Sequence, residues 1–194
     1  MNRREYLAAI CSTGVVATAG CSAIQSNQTL SDPTVHGDSR GRKTLVFATT
    51  DEEVGKFGVT GRVDSGVIDA PLEIWHRAGT AVKSITLRVW MPEVATESPP
   101  TVAIASPVEG DSSPPPSVAL YTPDRALGTV IEISDLDDLA DETISILNLL
   151  VKPVAETASK LTIHTTIELT SSGILESNYT LDGELQLTYP ELDN

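Results

Sequence analysis

The sequence predicts an all-β chain folded as an antiparallel sandwich of two sheets. Between Lys43 and Tyr189, short runs rich in β-branched residues follow one another, separated by Gly, Pro, Asp and Ser. Within the clearest runs apolar residues alternate with polar ones, which gives each strand one buried face. The stretch is long enough for a single domain with its own core, so residues 43–194 are taken as one sandwich.

The first run is Leu45-Val46-Phe47, followed by Val67 to His76 and Val82 to Met91. Leu72 and Ile74 alternate with polar neighbours, as do Ile85, Leu87 and Val89. A turn through Arg77-Ala78-Gly79-Thr80-Ala81 then predicts a hairpin with Ile74 opposite Ile85 and Leu72 opposite Leu87. Pro92 to Pro116 holds seven of the twelve prolines, yet Thr101 to Ala105 still reads as a strand, which predicts edge strands and rigid loops. Val118 to Tyr121 and Val130 to Ile133 are two further strands. Ser134, followed by acidic residues, has the pattern of a helix N-cap, which predicts one short helical turn near 135–142. The next residues, 143–151, fit either a helical continuation or a strand. Two turn signals, Ser171-Ser172-Gly173 and Leu181-Asp182-Gly183, predict a three-stranded meander from Leu161 to Tyr189. In that register Leu169 faces Leu175 and Tyr179 faces Leu185, while Thr166, Glu168, Glu176, Asn178, Gln186 and Thr188 form a wet face.

The Asp-Leu-Ala-Asp corner at 138–141 is similar to the one that precedes a late strand in immunoglobulin-like sandwiches. The Cys and Trp pins of true immunoglobulins are missing, so this resemblance bears on architecture alone: an immunoglobulin-like arrangement of two sheets.

The first 21 residues carry the functional signal. Arg3-Arg4-Glu5-Tyr6-Leu7 precedes a mild apolar run and then Thr18-Ala19-Gly20-Cys21. A positive start, a short apolar stretch and small residues before a cleavage point make an export signal. Arg3 and Arg4 are the address of a translocase that carries folded cargo. The run from Leu7 to Gly20 is too short to cross a hydrocarbon core of about 30 Å as a helix. Thr-Ala-Gly-Cys resembles a lipobox, which implies lipid attachment at Cys21 after removal of residues 1–20. An ordinary secretory peptide cut near Ala19 is the alternative. Residues 21–42 are polar and aperiodic and predict a flexible tether.

Composition agrees with an extracytoplasmic, saline setting. The net charge is −14, with 27 acids against 13 bases. Removing residues 1–20, which hold two arginines and one glutamate, leaves −15. Such self-repulsion opposes compaction in dilute buffer and is screened in molar salt. Together with the twin arginine and lipobox, the acidic, lysine-poor chain resembles haloarchaeal lipoproteins exported by the twin-arginine route. That resemblance implies a cell membrane location, lipid-anchored on the extracytoplasmic face; the anchor, tether and sandwich pattern together point to an envelope protein or glycan as partner. Clustered bases for a nucleic-acid partner are missing. Cys11 lies in the signal and Cys21 is the anchor, so the mature chain has no cysteine nucleophile, thiolate metal site or disulfide.

Catalytic signals are scarce. No Gly-x-Ser-x-Gly, phosphate loop or dinucleotide fingerprint occurs, and no cofactor is expected. Asp135, Asp137, Asp138 and Asp141 are weak calcium candidates, because they lack the spacing of a known loop. His36, His76 and His164 fall in the tether and on two separate strands, without the convergence that zinc needs. Asn27-Gln28-Thr29 and Asn178-Tyr179-Thr180 are glycosylation sequons. Trp75 and Trp90 fall opposite the apolar residues of their strands and are candidates for an exposed binding platform. The expected function is therefore non-catalytic: a membrane-anchored surface lipoprotein whose sandwich binds or supports another component. The alternative is an extracytoplasmic hydrolase or solute-binding accessory using carboxylates with His76 or His164.

Overall fold

A computed structural model describes residues 26–38, 41–92, 99–105, 117–124, 126–136, 145–154, 158–171 and 177–189, and these described residues form thirteen strands. They are β1 (Asn27–Leu30), β2 (Thr34–Gly37), β3 (Lys43–Ala48), β4 (Glu53–Val59), β5 (Arg62–Asp64), β6 (Val67–His76) and β7 (Thr80–Trp90). There follow β8 (Thr101–Ala105), β9 (Ser117–Tyr121), β10 (Thr129–Ser134), β11 (Ser145–Lys152), β12 (Lys160–Ser171) and β13 (Asn178–Thr188). One sheet runs β1-β13-β12-β7-β10-β9; the other runs β2-β3-β4-β6-β11-β8, with β5 also paired to β6. The pairings are antiparallel except β1 with β13, which is parallel. The chain is thus an all-β sandwich of two sheets, the fold class its alternation predicts.

The two inner faces share one core. Leu45, Phe47, Phe57, Ile68, Leu72 and Ile74 from one sheet are fully buried with Ile85, Leu87, Ile131, Ile133 and Leu161 from the other. At about 25 cal/mol per Å² of apolar area removed from water, such side chains supply the driving force that the described residues, which include no cysteine, must find in their interior.

The hairpin expected between Val67–His76 and Val82–Met91 does not form. β6 pairs with β4, β5 and β11, whereas β7 pairs with β12 and β10 in the opposite sheet. Residues 77–79 carry the chain across the sandwich edge instead, with Thr80 Oγ1 donating to the Arg77 carbonyl at 2.8 Å. Alternation places Ile74 and Ile85 in the core either way; it cannot tell a hairpin from a crossing between sheets.

The C-terminal meander is also corrected. β12 and β13 form one long pair in which Leu169 meets Tyr179 and Ile163 meets Leu185. Leu181-Asp182-Gly183 lies inside β13 rather than at a turn. Gly183 serves close packing: a Cβ there would approach Leu45 Cδ1 at 2.9 Å, Pro33 Cγ at 3.0 Å and Phe47 Cζ at 3.1 Å. The wet face is as expected for Thr166, Glu168, Asn178, Gln186 and Thr188, none of which is buried; Glu176 lies outside the described residues.

Residues 21–42 contain two strands, so the tether is shorter than expected. β1 extends the first sheet beside β13, and β2 extends the second beside β3. Their side chains are mostly exposed, so no apolar alternation marked them. Residues 145–152 settle the open choice in favour of a strand. Of the expected helical turn at 135–142, only Asp135 and Leu136 are described, and they lie in no regular element.

A bulge explains a break in the β7 pattern. Opposite β12 the register steps from Glu168–Ser84 to Leu169–Val82, which leaves Lys83 as the extra residue. Val82 and Ile85 therefore both point inward, and Lys83 turns out to meet Glu168 at 3.0 Å. That hydrogen bond holds the Glu168 carboxyl below the usual carboxylate range.

Candidate ligand site on the outer face of the second sheet

Three strands converge beneath Trp75. On the outer face of the second sheet, Thr44, Gly58 and Glu73 lie side by side across β3, β4 and β6, and the next row is Val46, Lys56 and Trp75. Gly58 leaves the centre of this face without a side chain. Arg42 crosses that gap to Glu73, with Nη2 to Oε2 at 2.5 Å. A Cβ at position 58 would stand 3.2 Å from Arg42 Nη2. The result is a concavity of about 200 Å³ lined by Arg42, Lys56, Gly58, Glu73 and Trp75.

Its lining is less acidic than the chain as a whole. In a chain of net charge −14, two of 13 bases meet one carboxylate in the lining. Lys56 is steadied by Glu53 at 2.5 Å and places its ammonium 5.1 Å from the centroid of the Trp75 ring. Arg42 Nε is buried and has no hydrogen-bond partner among the described residues. A buried donor of that kind carries a desolvation cost until an acceptor reaches it.

Trp90 stands elsewhere. It belongs to β7 in the first sheet, opposite Thr162, with the Arg88 guanidinium 4.7 Å from its ring. The two tryptophans are both half-buried and lie on opposite outer faces, so they form no common platform. The single-sheet arrangement followed from the hairpin that the chain does not make.

The histidines do not converge. His76 is buried at the core edge, where Nδ1 shares a hydrogen bond of 3.1 Å with Thr80 Oγ1. His164 lies on the outer face of the first sheet with Nε2 3.3 Å from Asp182 Oδ1. Thr166 Oγ1 donates to the other oxygen of that carboxylate at 2.9 Å. The hydroxyl is bonded to the carboxylate rather than the imidazole, an order that does not activate a nucleophile. His36 is exposed on β2.

Among the described residues no group of three or more His, Cys, Asp or Glu side chains could hold a metal ion. Asp135 is exposed and backbone-strained, with φ of 60°; Asp137, Asp138 and Asp141 lie outside the described residues, as do Arg3, Arg4 and Cys21. The two sequon asparagines are neighbours across β1 and β13, and Asn178 Nδ2 donates to Asn27 Oδ1 at 3.2 Å. A glycan on Asn178 replaces one of those amide protons.

Sequence reasoning found Trp75 but not its companions. Arg42 falls within the expected tether, and β4, interrupted by Gly55 and Gly58, shows no regular apolar alternation. The pairing of Lys56 with Trp75 is a register fact that no local spacing carries.

A family described as "Domain of unknown function (DUF8121)" matches residues 27–191. No curated protein matches the chain. Among solved structures, the chain is similar to the yeast delta-COP-I mu-homology domain in complex with a Dsl1 WxWxV peptide, at 14% identity and TM-score 0.34. That match covers 72% of this chain and 64% of the yeast chain, so the chain spans just under two thirds of it. A second is the GAE domain of GGA2p from Saccharomyces cerevisiae, at 10% identity and TM-score 0.31, covering 82% and 97%.

Proposed function

The chain belongs to this DUF8121 family, and we propose that it is an exported lipoprotein, fixed to the outer face of the cell membrane through Cys21, whose sandwich binds an envelope component without catalysis. The observation that carries the proposal is the order Arg3-Arg4, apolar run, Thr18-Ala19-Gly20-Cys21 in the first 21 residues. A single acyl chain holds a protein only marginally, so stable attachment through Cys21 calls for more than one.

The second feature in support is the composition of the outer surface. Acidic residues dominate the charge, the cysteines fall at or before position 21, and a concave site with an aromatic wall opens on one sheet face. Haloarchaeal membranes in molar salt are the setting that such a surface suits. With β1 starting at Asn27, five residues separate it from Cys21. Fully extended, they reach about 20 Å, so the sandwich works close to the lipid headgroups.

Mass spectrometry of the protein from its native membrane tests this reading. The expected chain starts at Cys21 and carries the mass of its lipid; Cys21→Ser moves the protein to the soluble fraction, and Arg3→Lys with Arg4→Lys keeps it inside the cell. A chain that retains residues 1–20, or one that stays in the membrane after Cys21→Ser, overturns the proposal.

A further inference from the structure

We infer that the concavity beneath Trp75 is a subsite for one acidic sugar residue, a hexuronate or a pyranose of similar charge. The assignment rests on the proposal that the sandwich acts by binding, and it names what is bound and where.

Three features select that chemistry. The indole of Trp75 offers an apolar wall of the kind on which the C–H face of a pyranose packs. Lys56 and Arg42, although paired with Glu53 and Glu73, each keep further N–H donors for a carboxylate. Glu73, held by Arg42, keeps lone pairs for sugar hydroxyls. The Lys56 ammonium lies 5.1 Å from the Trp75 centroid, so an anion drawn to it is brought against the indole.

Size and shape exclude longer partners from this spot. A concavity of about 200 Å³ in the middle of a sheet face takes a single ring. An extended peptide finds its hydrogen bonds at a strand edge, and β4 and β6 both have neighbours on each side. Gly58 is the residue that lets the Arg42 guanidinium lie across this face, since a Cβ there would meet Nη2 at 3.2 Å and Nε at 3.4 Å.

Trp90→Phe in the full chain, purified in detergent, leaves Trp75 as the tryptophan that reports the site. Its fluorescence is titrated with methyl glucuronide, methyl glucoside and acetate. The expected result is saturable quenching by the glucuronide, about tenfold weaker binding of the glucoside, and no response to acetate, because one charge-assisted contact is worth about a factor of ten. Lys56→Met, on a half-buried stem, lowers glucuronide affinity about tenfold and leaves the glucoside unchanged. Gly58→Val displaces the Arg42 guanidinium from this face and abolishes both responses, with near-ultraviolet circular dichroism checking that the fold persists. Equal binding of glucuronide and glucoside, a response to acetate, or quenching that survives Gly58→Val overturns the assignment. So does the absence of any quenching by the glucuronide. A lipid-bearing chain that ignores the glucuronide removes this inference alone; a chain that binds it yet carries no lipid removes the anchor alone.

Discussion

Tyr121 shows how one neighbour sets the chemistry of a side chain. Its hydroxyl donates to Glu132 Oε1 at 2.6 Å across β9 and β10. The hydrogen bond and the carboxylate charge both favour the neutral phenol, so Tyr121 titrates above its ordinary value of about 10. A raised value means that the contact contributes below the unfolded pKa and is lost as pH rises through the folded one. Glu132→Gln is expected to bring this phenol back towards the ordinary value. Phenolate absorbance, with Tyr121→Phe identifying its share of the titration, provides the check. A titration unchanged by Glu132→Gln counts against the contact. Gly128 makes a second residue-scale case. It adopts φ of 90°, and a Cβ there would collide with the Val89 carbonyl and approach Trp90 Cβ at 2.7 Å. Backbone cannot rotate aside as a flexible side chain does, so Gly128→Ala is expected to cost about 2–4 kcal/mol, read as a fall in the midpoint of chemical unfolding.

At the scale of elements, the N-terminal strands decide where the domain begins. β1 and β2 close one edge of each sheet, and Pro33 between them packs near Gly183. A chain starting at Ser26 is expected to unfold at the same temperature as the chain starting at Ser22, while one starting at Arg42 loses both edge strands and melts at least about 5 °C lower. Equal melting of all three returns residues 22–41 to the role of a passive linker. The same strands show what was legible beforehand. Buried alternation announced β6, β7, β10, β12 and β13, and the polarity of each face in the last pair was correct although Leu181-Asp182-Gly183 is strand rather than turn; Ser172 and Gly173 of the other turn signal lie outside the described residues. β1 and β2 were silent because their partners, rather than their own apolar content, make them strands, and β4 was silent because Gly55 and Gly58 interrupt the run that carries Val54, Phe57 and Val59 into the core. Gly79 signalled a turn without saying whether the chain came back within one sheet or crossed to the other. The Trp75 site depended on both of these gaps: it needs β4, and it needs β6 and β7 apart.

For the molecule as a whole, charge is the dominant variable. Ion pairs such as Arg62–Asp69 at 2.9 Å and Lys83–Glu168 at 3.0 Å involve side chains that remain largely exposed on at least one partner. Each is worth about 0–1 kcal/mol, and salt weakens it. Net repulsion among the surplus acids is the larger quantity, because the chain carries −14 and bases are too few to neutralise it. The Debye length shrinks from about 30 Å at 0.01 M salt to about 3 Å at 1 M. The melting temperature is therefore expected to rise by at least about 5 °C between those conditions, equivalent to about 1–2 kcal/mol for a domain of this size. Differential scanning calorimetry in potassium chloride supplies the measurement; a flat or falling dependence means the ion pairs outweigh the repulsion.

The parallel pairing of β1 with β13 has a mechanical consequence. Four residues, Asn27 to Leu30, are bonded side by side to Asn178 to Leu181, with bonds that lie across the strands and are evenly spaced. A pull on the chain from its N-terminal end runs along β1 and loads those bonds in shear, all together, rather than peeling them singly. The first strand of the sandwich thus acts as a strain relief, and a tug on the residues before Asn27 has to break several bonds at once before any force reaches the core.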